Sequence, residues 1–146
     1  MTFDYSFDDD TGHVTIEEGS TKIPVFAFSR AWWVRSVTIP DSVRTIGAYA
    51  FNETSIQDLE IPDSVTKINN YAFHDSRLRN LELGDSITKI GHSAFMDNDL
   101  NELTIPDSVT EIGLSVFASN DLDSLKIQDS VSSVGSDTFR NNFYIW

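Results

Sequence analysis

Ile61-Pro62-Asp63-Ser64-Val65-Thr66-Lys67-Ile68 returns two copies later as Ile105-Pro106-Asp107-Ser108-Val109-Thr110-Glu111-Ile112. Working outward from this phrase gives a period of 22, tested before any assignment of secondary structure because a fixed period decides the architecture. Five copies run end to end as residues 37–58, 59–80, 81–102, 103–124 and 125–146, with no insertion or deletion between them. An earlier, diverged copy occupies 14–36, where Val14-Thr15-Ile16, Ile23 and Ala27-Phe28 match Val37-Thr38-Ile39, Ile46 and Ala50-Phe51. It carries one extra residue, beside Trp32-Trp33.

The apolar columns define what each copy buries. Val37, Leu59, Leu81, Leu103 and Leu125 are followed two places on by Ile39, Ile61, Leu83, Ile105 and Ile127. That alternation predicts a short half-buried strand. Val43, Val65, Ile87, Val109 and Val131, with Ile46, Ile68, Ile90, Ile112 and Val134, mark a second inward-facing segment. Phe51, Phe73, Phe95, Phe117 and Phe139 add one large ring per copy, so stacked copies bury a continuous aromatic ladder that no single copy could form alone.

The polar columns punctuate the turns. Gly47, Gly91, Gly113 and Gly135 share a column with Asn69, the replacement expected where the backbone takes φ > 0. Pro40, Pro62 and Pro106 precede Asp41, Asp63 and Asp107, and these, with Asp85 and Asp129, end the first strand and start a turn held by side chain to backbone bonds. Thr54, Ser76, Asn98, Asn120 and Asn142 form a further column suited to satisfying backbone groups along a buried turn.

Together with Leu100-Asn101-Glu102-Leu103-Thr104-Ile105-Pro106-Asp107-Ser108-Val109-Thr110-Glu111-Ile112-Gly113, the opening phrase resembles the BspA-type leucine-rich repeat, and the resemblance covers residues 14–146. It implies a right-handed leucine-rich-repeat solenoid of about six turns with a parallel sheet on one face. It also implies kinship with bacterial or protist surface proteins that adhere to host or matrix proteins. Residues 1–13 alternate Phe3, Tyr5 and Phe7 before Asp8-Asp9-Asp10-Thr11-Gly12-His13, the order of a β-hairpin capping the open end of the core. The expected organisation is one domain, with a capping strand and turn at 1–13 and the solenoid at 14–146. At the other end, Phe143-Tyr144-Ile145-Trp146 stand where a seventh strand would begin, either folding over the last turn or mediating association through an unpaired edge.

Composition narrows the function. The 146 residues carry 10 Lys and Arg against 23 Asp and Glu, a formal charge of -13 that repels phosphate and anionic lipid, so neither nucleic acid nor membrane is an expected partner. There is no Cys, hence no disulfide, thiolate metal site or cysteine nucleophile. The N-terminus lacks the basic start and apolar run of a signal peptide, so the chain as written reads as cytoplasmic, with cell surface or secretion as the alternative that the resemblance implies. His13, His74 and His92 stand in unrelated positions, and no phosphate-binding loop, zinc spacing or nucleophile elbow is present. A non-enzymatic protein with no cofactor is expected. Calcium on the Asp41, Asp63, Asp85, Asp107, Asp129 column or on Asp8-Asp9-Asp10 is the metal alternative, set against turn capping by single aspartates.

Two binding surfaces are expected. Parallel strands place one residue per turn in each outward column, about 4.8 Å from its neighbour. The columns Ser36, Asp58, Asn80, Glu102, Ser124 and Thr38, Glu60, Glu82, Thr104, Lys126 therefore form either a solvated polar face or an acidic patch, Asp58, Glu60, Glu82 and Glu102, for a basic protein partner. Glu60 above Glu82 costs roughly 1 kcal/mol of repulsion in water at that spacing. The second surface is Arg30-Ala31-Trp32-Trp33-Val34-Arg35. Adjacent residues of an extended segment face opposite ways, so one of Trp32 and Trp33 covers the core end or, exposed beside Arg35, anchors an interface.

Overall fold

The computed structural model describes residues 3–143 and contains no helix among them. Each turn of the chain lays down one strand of about three residues, one of two, and a turn-rich third side, then repeats one layer further along the axis. The longer strands are β2 (His13–Ile16), of four residues, and β4 (Ser36–Thr38), β6 (Asp58–Glu60), β8 (Asn80–Glu82), β10 (Glu102–Thr104) and β12 (Ser124–Lys126), of three each. They pair in parallel as β2–β4, β6–β8 and β10–β12, with equivalent residues aligned: Leu59 with Leu81, and Leu103 with Leu125. The two-residue strands β3 (Lys22–Ile23), β5 (Thr45–Ile46), β7 (Lys67–Ile68), β9 (Lys89–Ile90), β11 (Glu111–Ile112) and β13 (Ser133–Val134) form one six-stranded parallel sheet in chain order. The molecule is a β-solenoid of about six turns.

The core runs along the axis. Phe28, Phe51, Phe73, Phe95, Phe117 and Phe139 are all buried, and successive rings stack at 5.3, 5.1, 5.4, 5.6 and 5.9 Å between centroids. From Phe51 onward the planes lie within 6° of parallel. Burying such a ring stabilises the fold by about 1.5–3 kcal/mol. Around the ring column pack Ile46, Ile68, Ile90 and Ile112 from one sheet and Leu59 and Leu103 from the other.

Between the rings and the surface, the expected polar column forms a ladder. Asn98 Nδ2 donates to the carbonyls of Phe73 (2.9 Å) and Phe95 (3.0 Å), while its Oδ1 accepts from the N–H groups of Ser76 (3.0 Å) and Leu78 (2.9 Å). Asn120 repeats this with Phe95, Phe117 and Leu100, and Asn142 with Phe117, Phe139 and Leu122. Where the side chain is shorter less is satisfied: Ser76 Oγ and Thr54 Oγ1 each donate to the Phe51 carbonyl.

The glycine column corrects the sequence reading. None of Gly47, Gly91, Gly113 and Gly135 has positive φ; the only glycines that do are Gly12 and Gly19. The column is small because successive turns touch there. A Cβ on Gly47 would lie 2.6 Å from the Val25 nitrogen, and one on Gly113 would lie 2.8 Å from the His92 nitrogen. Asn69 uses its place differently, donating its side-chain amide to the Ile46 carbonyl at 2.8 Å. Positive φ falls two residues later, at Tyr49, Tyr71, Ser93, Ser115 and Asp137, and again at Glu53, Asp75, Asp97, Ser119 and Asn141. With these left-handed residues in place, alternate N–H groups of the third side all donate to the next turn: Tyr49 to Asn70 (3.0 Å), Phe51 to Ala72 (2.7 Å) and Glu53 to His74 (2.9 Å). The strain is local and the bonds it permits recur in every layer.

The Pro-Asp turns close through backbone bonds in place of the expected side chain to backbone ones, with Val43, Val65 and Val109 donating to the carbonyls of Pro40, Pro62 and Pro106 at 3.2 Å. Of the aspartates, Asp63 reaches the next layer, its Oδ1 accepting from the Asp85 N–H at 2.8 Å. At the N-terminal end, β1 (Tyr5–Asp8) pairs antiparallel with β2. Asp8 Oδ1 accepts from the N–H groups of Asp10 and Thr11 in the connecting turn. Phe3 and Tyr5 lie edge-on to Phe28 at 6.1 and 4.8 Å, over the first ring of the ladder. At the other end, the expectation for Tyr144, Ile145 and Trp146 lies outside the described residues.

Two stability measurements follow. Asn98→Ala orphans the N–H groups of Ser76 and Leu78 and the Phe73 carbonyl, while Phe95 keeps its bond from Asn120, and should lower the unfolding free energy by at least about 2 kcal/mol in urea titrations followed by circular dichroism; a loss under about 0.5 kcal/mol would show that the ladder contributes little. Gly113→Ala should cost about 2 kcal/mol or more from the clash with His92, whereas Ser115→Gly, at the left-handed site, should be neutral or stabilising by up to about 1 kcal/mol. The reverse order would restore the positive-φ reading of the glycine column.

Candidate functional site

Strands β6, β8 and β10 point Leu59, Leu81 and Leu103 inward and leave Asp58, Glu60, Asn80, Glu82, Glu102 and Thr104 exposed. The register sets Asp58 beside Asn80 and Glu60 beside Glu82. Asn80 Nδ2 donates to Asp58 Oδ1 at 2.6 Å, so that carboxylate has a neutral neighbour instead of a like charge. All four acids of the expected patch, Asp58, Glu60, Glu82 and Glu102, line one open groove of about 540 Å³, together with Arg79 and Asn80. The ion pairs among the described residues are Arg30–Glu53, His74–Asp97 and Lys89–Glu111, so none neutralises the four carboxylates.

The tryptophan corner lies at the edge of this face. Trp32 and Trp33 are 70% and 49% exposed, so neither covers the end of the core; that place is taken by Phe3 and Tyr5. The indoles meet edge to face at 5.7 Å. Their backbone is held on both sides: Trp32 and Val34 N–H donate within the turn to Arg30 and Ala31, Arg35 N–H donates to Gly12 at 2.8 Å, and Ser55 Oγ donates to the Trp32 carbonyl at 2.6 Å. Trp32, Arg35 and Asp58 line a second depression of about 640 Å³ with Ser55, Gln57 and Arg77. The two candidate surfaces thus share Asp58.

The histidines serve the scaffold. His13 lies within 2.6 Å of Ser36 Oγ and 2.9 Å of Thr38 Oγ1, at the start of the strand face. His92 Nδ1 accepts from the Leu114 N–H at 2.8 Å, the position in its layer that Asn70 Oδ1 fills for His92 itself. His74 pairs with Asp97 at 3.0 Å and sits edge-on to Tyr71. Among the described residues, no group of three or more His, Asp or Glu is placed to hold a metal ion.

Three features escaped the sequence reading. Arg77 belongs to the tryptophan depression although it lies in a column of unlike residues, Ser55, Arg77 and Asp99. Gln57 joins it through the column that begins at Arg35. Phe26, Tyr49 and Tyr71 stack outside the core at 4.9 Å, all with positive φ. Their column continues as Ser93, Ser115 and Asp137, which hid the stack from any search for a constant residue type.

Comparison with known proteins agrees with this geometry. The BspA type Leucine rich repeat region matches in six copies over residues 13–145. No curated protein matches. Among solved structures, a leucine-rich repeat protein from Eubacterium ventriosum superposes with a TM-score of 0.78 at 23% identity, over 91% of this chain and 37% of that one. The leucine-rich repeat protein of T. pallidum gives 0.67 at 21% identity, over 91% and 83%, and one from Bacteroides capillosus gives 0.56 at 29% identity, over 86% and 94%. This chain spans well under half of the first of these. It belongs to the BspA-type leucine-rich repeat family, whose repeats typically form protein-interaction scaffolds and are generally non-catalytic.

Proposed function

We propose that this chain is a protein-binding scaffold whose strand face receives a basic segment of its partner. The observation that carries the reading is the open groove lined by Asp58, Glu60, Glu82 and Glu102 with no ion pair to any of them among the described residues. Exposed ion pairs supply only about 0.2–1 kcal/mol each, so the carboxylates steer and orient the partner more than they hold it. Affinity comes from Trp32, Trp33 and Arg35 at the adjoining corner, where a fixed backbone presents residue types favoured as interface anchors. Family membership supports a cell-surface or secreted setting in place of the cytoplasmic one expected from the N-terminus. Self-association through the last described turn has the exposed Ile127 and Val134, beside the edge strand β13, in its favour. A solution mass of one chain at micromolar concentration would exclude it.

Affinity capture from the native source identifies the partner. Glu60→Lys combined with Glu82→Lys should then weaken its binding at least tenfold and flatten the salt dependence; unchanged affinity would remove the acidic face from the account. The stacked pair also bears on folding: Glu82→Gln should stabilise by up to about 1 kcal/mol at low salt and by less at 0.5 M salt, read from urea midpoints.

A further inference from the structure

The depression beside Trp32 has a composition unlike the rest of the surface. Of the residues that line it, Trp32 alone is apolar; Arg35, Ser55, Gln57, Asp58 and Arg77 surround the indole with hydrogen-bonding groups. Two guanidinium groups face one carboxylate there, on a chain whose formal charge is -13. Neither Arg35 nor Arg77 takes part in an ion pair among the described residues, and the Asp58 carboxylate is engaged only through the neutral Asn80 amide.

The local charge is a property of position along the axis. The two columns that form this corner run Ser55, Arg77, Asp99, Asp121 and Arg35, Gln57, Arg79, Asn101, Asp123. Cations occupy their N-terminal members and carboxylates their C-terminal ones; the adjoining depression that Arg77 and Arg79 share with Gln57 is also lined by Asp75, Asp97 and Asp99. Within the Trp32 depression itself the guanidinium groups of Arg35 and Arg77 outnumber the single carboxylate of Asp58, the local balance an anion needs.

We propose that this depression binds a saccharide bearing a carboxylate. A pyranose has one apolar C–H face and a polar rim, and the depression combines one flat apolar side chain, that of the 70% exposed Trp32, with the polar side chains of Arg35, Ser55, Gln57, Asp58 and Arg77. Arg35 and Arg77 take the carboxylate through paired N–H donors. The Gln57 amide and the free oxygen of Asp58 take ring hydroxyls, and Ser55 Oγ, which already donates to the Trp32 carbonyl, accepts from one. A polypeptide anchored on Trp32 and Arg35, as in the function proposed above, is the competing occupant of this depression, and the Glu-rich peptide in the test below is its probe. An open site of this size confers modest affinity. The inference does not rest on the acidic strand face, and the variants below separate the two.

The test is calorimetric titration of the full chain with an oligosaccharide ending in glucuronic acid, its counterpart ending in glucose, free glucuronate, acetate and a Glu-rich peptide. The glucuronate-terminated oligosaccharide should bind at least tenfold more tightly than the glucose-terminated one. Free glucuronate binding as well as the oligosaccharide assigns the site to a single residue; weaker binding assigns it to the end of a glycan, and both support the proposal. Trp32→Ala and Arg77→Gln, each checked for folding by circular dichroism, should weaken binding at least tenfold, whereas Glu60→Lys with Glu82→Lys should change it less than twofold. No binding of either glucuronate ligand, equal binding of the neutral oligosaccharide, acetate binding as well as glucuronate, or the peptide binding more tightly than the sugar would each overturn the assignment.

Discussion

No turn of this chain can satisfy itself. The N–H groups of Tyr49, Phe51 and Glu53 have their acceptors in the following turn, the Asn98 amide spans two layers, and the phenylalanine rings stack on the rings of the neighbouring layers. Conformational entropy lost in ordering one layer is recovered only when the next is laid on it. That requirement fixes the period: every layer must follow the same path, or the carbonyls and rings fall out of line. It accounts for the small residue at Gly47, Gly91 and Gly113, where backbones touch, and for bulky residues accepted at left-handed positions where the backbone has to aim its donors along the axis.

What repeats chemically was legible in the sequence, and what repeats only conformationally was not. The phenylalanine and asparagine columns have one physical solution each, so their roles could be read from residue type. Glycine has two, since both positive φ and close backbone approach select it, and the column was assigned to the wrong one. The true left-handed positions hold Phe, Tyr, Ser, Asp, Glu, Asn and Arg, a mixture that betrays no common constraint. The strand face was readable because alternation alone determines which side chains point outward. The tryptophan depression was half readable: Trp32, Arg35 and Asp58 stood out, but Arg77 arrives by stacking and belongs to a column without a consistent type.

Separate columns carry the core and the outward face. Exchanging Glu60, Glu82 or Arg77 leaves the rings, the asparagine ladder and the interlayer backbone bonds untouched, since none of these side chains takes part in them. The net charge of the chain is likewise distributed by column, with acid on the strand groove and paired cations at the Trp32 corner. One scaffold therefore offers two adjoining surfaces of different charge that meet at Asp58.

The interlayer bonds also have a direction, because they run along the solenoid axis. Tension applied between the two ends of the molecule passes through one interface after another, and no interface shares its burden with the rest. The N-terminal layers, where Ala31, Thr54 and Ser76 stand in place of asparagine and the ladder is poorest, are then the first to part. A tethered chain of this kind would lengthen by shedding coils in sequence, behaving as an extensible spring instead of a rod that snaps.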